Sequence, residues 1–232
     1  MSVRALWGTL VGFGGPSTWD NPVDAATMRF VVDHRTDWAT AFAKAVMWLG
    51  TTPAALAVGV LVAAVVVVAL RAWRPAGAAV GALVAAAVVA AVLKAVFQRS
   101  RPPADLALVA TGGFSFPSTQ AMETAAIAAA LVLTVPVAFP ALSRSAAACR
   151  AGVTILVGAT VLVGVCMVYL GAHWPTDVVA GWVGGVLVGG LASRVALRTS
   201  GAPETLRTSG PPETLETPST SGTSQPEAPT CR

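Results

Sequence analysis

His173 and Asp177 are the residues of this chain whose types and spacing point most directly to chemistry. They belong to the segment Gly-Ala-His-Trp-Pro-Thr-Asp at 171–177, which lies between two long apolar runs. A carboxylate four residues beyond an imidazole can orient the ring and stabilise its protonated form, as the acid does in a hydrolytic triad. An ionisable pair at the end of a membrane span is energetically costly, so we expect this pair to have a function.

A group of cations closes another apolar run far upstream. Lys94, Arg99 and Arg101 follow one another within eight residues, and Pro102 comes next. A single lysine at a membrane boundary usually only extends its amine to water. A guanidinium, however, can bind two phosphate oxygens at once, and the proline restricts the chain after it. Together with the histidine pair, these cations suggest phosphate chemistry on a lipid.

A third segment, Gly-Gly-Phe-Ser-Phe-Pro-Ser-Thr-Gln at 112–120, precedes a further apolar run. Ser118 is a favourable N-cap residue, so the backbone N–H groups of Thr119 and Gln120 would point out of the start of a helix. Such a helix end attracts anions. An ordinary capped helix explains Ser118 equally well, so both interpretations remain open at this stage.

The composition is that of a polytopic membrane protein. Of 232 residues, 55% are hydrophobic and only 11% are charged, and the mean hydropathy is +0.70. A soluble domain averages about 25% charged residues. No basic stripe interleaved with aromatic residues is present, so we expect no nucleic-acid partner. The three cysteines are scattered, which indicates neither a disulfide framework nor a metal cluster. We also expect no cofactor.

The expected fold class is all-α, a polytopic transmembrane helical bundle with about five spanning helices and N-terminal interfacial helices. Five apolar stretches are long enough, or nearly so, to cross a bilayer. We expect them to be helices and not strands, because a helix satisfies its backbone hydrogen bonds internally in lipid. Gly181, Gly185 and Gly189 recur every four residues in the last stretch, a spacing that allows another helix to approach closely. The stretches run roughly over residues 53–70, 76–97, 121–139, 147–170 and 178–197.

The bundle, at 53–198, is expected to be flanked by two different segments. Residues 1–52 mix charged and apolar side chains, which predicts an amphipathic, interfacial segment that Trp38 and Trp48 anchor. The short apolar run 6–13 cannot span a bilayer. Residues 199–232 contain a nine-residue repeat rich in Pro, Ser, Thr and Glu, which predicts a disordered tail.

Arginine placement predicts the orientation in the membrane. Pairs of arginines join the first two stretches, join the third and fourth, and end the fifth, at positions 71 and 74, 144 and 150, and 194 and 198. With alternating helices all three pairs fall on one side, which the positive-inside rule makes cytoplasmic, together with the tail. The segments that carry Lys94 and His173 then share the extracytoplasmic side. The high content of Ala, Val and Gly favours a bacterial plasma membrane.

These segments resemble the type 2 phosphatidic acid phosphatase (PAP2) family over roughly residues 20–198. The family pattern is a lysine, six residues and Arg-Pro; then Pro-Ser-Gly-His; then Ser-Arg, five residues, a histidine, three residues and an aspartate. Lys94, Arg101, His173 and Asp177 match it. The resemblance implies a phosphohistidine intermediate in which His173 attacks phosphorus and Asp177 orients it. Lys94, Arg101 and the N–H groups near Ser118 and Thr119 would bind the phosphate, with no metal.

Two positions depart strongly from that pattern. Gln120 replaces the histidine that the family uses as general acid, and Met167 replaces a phosphate-binding arginine; Thr119 in place of glycine is a milder change. General acid catalysis typically contributes about 10²–10⁴-fold to a rate. A phosphate leaving group needs less acid help than an alkoxide, so the changed site should favour diphosphates. Glu123, one turn below Gln120 on the same helical face, is a candidate for the acid.

Three functions therefore remain open from the sequence. The first is a membrane phosphohydrolase that acts on a lipid or isoprenoid phosphate or diphosphate through His173. The second is a protein that binds or moves a lipid phosphate without cleaving it. The third is an enzyme that ionises or transfers an isoprenoid diphosphate, as terpene synthases and prenyltransferases do. The expected partners are the substrate lipid and the bilayer, while the identity of the lipid and the oligomeric state are left open.

Overall fold

A computed structural model describes residues 21–51 and 53–199, and every regular element within those ranges is a helix. The predictions for the apolar run at 6–13 and for the repeat tail fall outside the described residues. The helices, in chain order, are α1 (Pro22–Asp33), α2 (Asp37–Thr51), α3 (Pro53–Leu70), α4 (Trp73–Phe97), α5 (Thr119–Ala138), α6 (Pro140–Ser143), α7 (Ala146–Tyr169) and α8 (Pro175–Thr199).

Four of these helices are long and apolar enough to cross a membrane. They are α4, α5, α7 and α8, with 25, 20, 24 and 25 residues, and their bounds lie within a few residues of those expected from the sequence. The predicted all-α membrane bundle is thus confirmed. The first predicted span forms as α3, a helix of 18 residues that is not among the four, so its crossing stays a prediction.

Small residues set how closely the spanning helices pack. A Cβ added to Gly181 of α8 would lie 2.8 Å from the carbonyl oxygen of Ser118, and one added to Gly185 would lie 2.7 Å from the Cβ of Ala125. Lipid tails are as apolar as the side chains, so close van der Waals contact rather than water exclusion holds such helices together. The glycine spacing predicted this approach. It also brings the beginnings of α5 and α8 side by side.

The N-terminal helices α1 and α2 form where the sequence predicts amphipathic segments. The Oδ1 atom of Asn21 caps α1 by accepting a hydrogen bond from the backbone N–H of Val23 at 3.0 Å. Trp38 and Trp48 are 75% and 56% exposed, and their role as interfacial anchors stays a prediction. Asp24 differs from that expectation, because it is only 2% exposed. The helix α1 therefore packs a carboxylate into the protein, together with Ala25 and Met28.

Candidate functional site

Two loops meet at one end of the bundle, and the residues singled out from the sequence lie on these loops or on the helical turns that adjoin them. The first follows α4 and leads into α5, and the second joins α7 to α8. Backbone hydrogen bonds tie them together, from Leu108 N to Leu170 O at 2.9 Å and from Ser118 N to Asp177 O at 3.0 Å. Gly171 is required at this junction, because its φ is +72° and an added Cβ would lie 2.6 Å from Leu106 O.

The second loop presents His173 to the first. His173 is 2% exposed, and its Nε2 atom lies 3.3 Å from Nη1 of Arg101. A guanidinium can only donate hydrogen bonds, so Nε2 must be the acceptor and the ring proton must reside on Nδ1. The Nδ1 atom lies 3.7 Å from Oδ2 of Asp177. This tautomer leaves the Nε2 lone pair directed towards a cation, as a nucleophile for an anionic phosphoryl group requires.

The surroundings also favour the neutral form of this imidazole. Burial lowers the pKa of His173, and the positive charges of Arg101 and Lys94 lower it further, while Asp177 acts in the opposite direction. The resulting pKa is below the ordinary histidine value of about 6.5. At neutral pH the ring is therefore uncharged and its Nε2 lone pair is available.

Asp177 is held from several directions in the first turn of α8. Its Oδ2 atom accepts hydrogen bonds from the Ser115 hydroxyl and, at 3.0 Å, from the backbone N–H of Trp174. Its Oδ1 atom accepts from Nη1 of Arg99 at 2.6 Å. A buried carboxylate with these donors cannot rotate freely, so it presents a fixed oxygen to the imidazole. Ser115 was not singled out from the sequence.

Arg99 joins Asp177 to the N-terminal helix. Its Nη2 atom donates to Oδ2 of Asp24 at 2.5 Å, and its Nη1 atom donates to the hydroxyl of Thr176 at 2.7 Å. Asp24 in turn accepts from the Thr176 backbone N–H at 3.0 Å and from its hydroxyl at 2.6 Å. Sequence reasoning noted Arg99 only as a cation and placed Asp24 in an interfacial helix. No sequence signal joins residues that are this far apart.

Lys94 and Arg101 lie at the same end of the bundle and donate to backbone carbonyls. Nζ of Lys94 is 2.8 Å from Phe114 O and 3.4 Å from Ser115 O. Arg101 donates to Gly112 O at 3.0 Å and to Ala172 O at 2.6 Å. The structure thus gathers both cations around the loops that carry His173 and Asp177. Their roles in binding phosphate stay predictions.

The beginning of α5 contributes backbone donors to the same region. Ser118 is the N-cap residue, as predicted, but its side chain makes no capping bond, and its buried Oγ is without a hydrogen-bond partner among the described residues. Thr119 begins the helix and is half-buried. The first N–H groups of any helix lack intrahelical acceptors, so this end retains donors for an anion.

The positions that depart from the PAP2 pattern are structurally unlike the rest of the site. The side chains of Gln120 and Glu123 are half-buried and make no hydrogen bond or ion pair with any described residue, so nothing joins them to His173. Met167 is buried in an apolar cluster with Ala121, Ala172 and Val178, so its position carries a packed thioether where the family pattern has an arginine. Within the described residues, no group of three or more His, Cys, Asp or Glu side chains is arranged to hold a metal ion.

Comparisons with known proteins bear on this arrangement. A family model of the PAP2 superfamily matches residues 75–200. Among solved structures, the chain is similar to that of a protein described as the first transmembrane PAP2 type phosphatidylglycerolphosphate phosphatase from Bacillus subtilis. The match has a TM-score of 0.68 and 25% sequence identity, and it covers 84% of this chain and 94% of that chain. No curated protein matches the chain. The resemblance inferred from the sequence is confirmed.

Proposed function

The chain belongs to the PAP2 superfamily, and from this premise we propose that it is a membrane phosphohydrolase that acts on a lipid or isoprenoid (di)phosphate through a phosphohistidine at His173. The family and the membrane fold support a lipid phosphate phosphatase in general terms. One observation carries the specific assignment: Nε2 of His173 faces Arg101 at 3.3 Å while Nδ1 faces Asp177 at 3.7 Å.

The reaction that this geometry supports has two steps. In the first, Nε2 of His173 attacks the terminal phosphorus, a P–N bond forms, and the bond to the leaving oxygen breaks with both electrons on that oxygen. The phosphorylated imidazole is cationic because Nδ1 keeps its proton, and Asp177 stabilises that charge. In the second step a water attacks phosphorus, the P–N bond breaks, and inorganic phosphate and a neutral histidine result.

Phosphate binding is assigned to Lys94, Arg101 and the start of α5. Lys94 now donates to the carbonyl of Phe114, and Arg101 donates to the carbonyl of Ala172, the residue before His173. A phosphate oxygen is a stronger acceptor than a carbonyl because it is charged, so an incoming phosphoryl group would exchange for these bonds. Burial strengthens the attraction between each cation and the charge that develops on the transferring group.

The leaving group decides which lipid phosphate suits this site. Gln120 carries an amide, which does not donate a proton as the family histidine does. An alkoxide leaves poorly without a proton, whereas a phosphate monoanion or dianion is a much weaker base. We therefore expect the protein to cleave the anhydride bond of a lipid diphosphate better than the ester bond of a lipid monophosphate.

The experiment is a product analysis with purified protein in lipid nanodiscs. Matched pairs of isoprenoid monophosphate and diphosphate with the same chain are compared with phosphatidic acid and with phosphatidylglycerolphosphate, the lipid named for the Bacillus subtilis protein. We expect the diphosphate to be hydrolysed at least about 10²-fold faster in kcat/KM than its matched monophosphate. The His173→Ala variant is the control. Equal rates on both members of a pair would contradict the leaving-group argument.

Binding without cleavage is the second candidate, and the apolar burial of Met167 favours it, because a cation of the family's phosphate site is replaced by packing. Tight retention of a lipid phosphate with no release of inorganic phosphate from any member of the panel would support it. Release of inorganic diphosphate with a cyclised or prenylated product would instead indicate ionisation at carbon. Labelled phosphate retained on His173 distinguishes hydrolysis from both.

A further inference from the structure

We infer that Asp24, in the N-terminal helix α1, is a positioning residue of the site that acts through Arg99 to hold Asp177 and, with it, His173. This inference rests on the proposed function only for its kinetic consequence. The residue lies outside the segment that the PAP2 family model matches, which begins at residue 75.

The geometry shows that Asp24 is committed to the site. Both of its oxygens are used: Oδ1 accepts from the Thr176 N–H at 3.0 Å, and Oδ2 accepts from the Thr176 hydroxyl and from Arg99. Asp24 is almost completely buried and so has no exchange with bulk water. Because Thr176 adjoins Asp177 in the first turn of α8, the carboxylate of Asp24 holds the backbone next to Asp177 and the guanidinium that contacts the Asp177 carboxylate.

The charges explain why a second carboxylate is needed here. Arg99 lies between Asp24 and Asp177 and binds one with each end of its fork. With both acids present, the three groups carry a net charge of −1, which faces the imidazole. Without Asp24, the guanidinium would be balanced by Asp177 alone, and little net negative charge would remain for His173. The guanidinium of Arg99 would also lose one of its two carboxylate partners, which is destabilising.

A second anchor of the same N-terminal segment provides a matched control. Arg35, between α1 and α2, donates to Tyr169 O at 2.9 Å and to Leu106 O at 2.8 Å. It makes no contact with either carboxylate among the described residues. Changing Arg35 to lysine loses the fork geometry and keeps the charge. That variant loosens the attachment of the segment without altering the charges around Asp177.

The chain has only two histidines, His34 and His173, so the charge at the site can be measured without turnover. Histidine labelled with ¹⁵N gives two sets of ring signals in a nanodisc sample, and a His34→Gln variant assigns them. The groups whose charges face His173 are Asp177, Arg101 of the other loop and Lys94 of α4. Arg99 and Asp24 lie behind Asp177. Titration of the ring signals reports the balance of these charges.

We expect Asp24→Asn to lower the pKa of His173 by roughly 0.5 to 1 unit, because the protonated ring loses negative charge nearby. With an active protein, kcat should fall about 10- to 100-fold with KM changed less than about threefold. Asp24→Glu keeps the charge and should restore most of the pKa and part of kcat. Arg35→Lys should leave the pKa of His173 unchanged.

A folded Asp24→Asn variant with the wild-type pKa at His173 would overturn the inference, as would a Glu variant no better than the Asn variant. If Asp24→Asn does not fold, Thr176→Val decides, because it removes a hydroxyl that joins Asp24 to Arg99 and keeps every charge. A kcat about 3- to 10-fold lower is expected for it, and an unchanged kcat would overturn the inference. If the wild type cleaves no lipid, the proposed function fails while the titration still tests the role of Asp24.

Discussion

The residues predicted to orient His173 and those predicted to serve the leaving group are held very differently. On the Asp177 side, a buried carboxylate accepts from Ser115, the backbone of Trp174 and Arg99, and Arg99 continues to Asp24. The residues predicted to serve the leaving group, Gln120 and Glu123, are half-buried and make no side-chain hydrogen bond with any described residue. The Asp177 side is therefore held by hydrogen bonds from several segments of the chain. The leaving-group side, which we define as Gln120 and Glu123, is held by no such side-chain contact among the described residues.

This difference indicates which part of a phosphatase the chain retains. The carboxylate of Asp177, which is predicted to orient the nucleophile, needs several partners at once, because a buried charge without partners is strongly unfavourable. The contribution of a general acid rests on a single side chain with the right pKa and position. A leaving group of low basicity removes the need for that one side chain. The residues that are predicted to orient His173 and to bind phosphate are still needed. The following predictions break or sharpen this contrast, from the largest effect to the smallest.

The largest effect is expected on the Asp177 side. Asp177→Asn should lower kcat by about 10⁴-fold, because an amide neither enforces the Nδ1–H tautomer nor stabilises the cationic phosphoimidazole. Release of inorganic phosphate from the preferred lipid measures it, and His173→Ala gives the background. A loss of less than about tenfold in a protein with unchanged thermal stability would mean that the imidazole is oriented by something other than Asp177.

Arg101→Ala should lower kcat/KM about 10²–10³-fold on monophosphates and diphosphates alike. The guanidinium lies beside Nε2 and is the group that a transferring phosphoryl would meet. Arg101→Lys serves as the matched control, since it keeps the charge and loses the two-pronged geometry, and it should recover part of the rate. If the alanine variant discriminated between the two substrate classes, Arg101 would be acting on the leaving group instead.

Gln120→His tests the leaving-group side. It should raise kcat/KM on a lipid monophosphate by about 10²-fold and change the matched diphosphate by less than about tenfold, because only the ester needs a proton donor. Met167→Arg is not combined with it, because Met167 is buried among Ala121, Ala172 and Val178. A charge there would destabilise the fold before it could bind phosphate. Gln120→Asn is the control, and equal gains on both substrates would contradict the argument.

The pH profile gives a smaller, graded effect. In the proposed mechanism the neutral imidazole is the nucleophile, so activity should be full above the pKa of His173 and should be lost as pH falls through it. Because burial lowers that pKa, the acid limb of kcat/KM should lie below about 6.5, the ordinary histidine value. Asp24→Asn should move the limb to still lower pH. An acid limb above 7 in the wild type would show that the site raises the pKa instead.

Much of this arrangement could be predicted from the sequence, and the reason is physical. The lengths of the apolar runs determine where the helices end, so they place Lys94, Arg101, His173 and Asp177 at one end of the bundle. Asp24 could not be predicted in the same way. An aspartate in an amphipathic helix looks like a water-facing acid, and its burial depends on Arg99, 75 residues away. Ser115 could not be predicted either, because its partner Asp177 is 62 residues away in the chain.

Glu123 is the residue for which we expect the smallest effect. Its carboxyl lies one turn below Gln120 in α5, and among the described residues it has no hydrogen-bonding or ionic partner that would aim it at the leaving oxygen. A general acid must be within hydrogen-bond reach of the atom that it protonates, so Glu123→Gln should change kcat on diphosphates by less than about threefold. Glu123→Ala, measured for thermal stability, separates packing from chemistry. A fall in kcat of about 10²-fold, with loss of the basic limb of the pH profile, would instead identify Glu123 as the proton donor. The leaving-group side would then contain an acid.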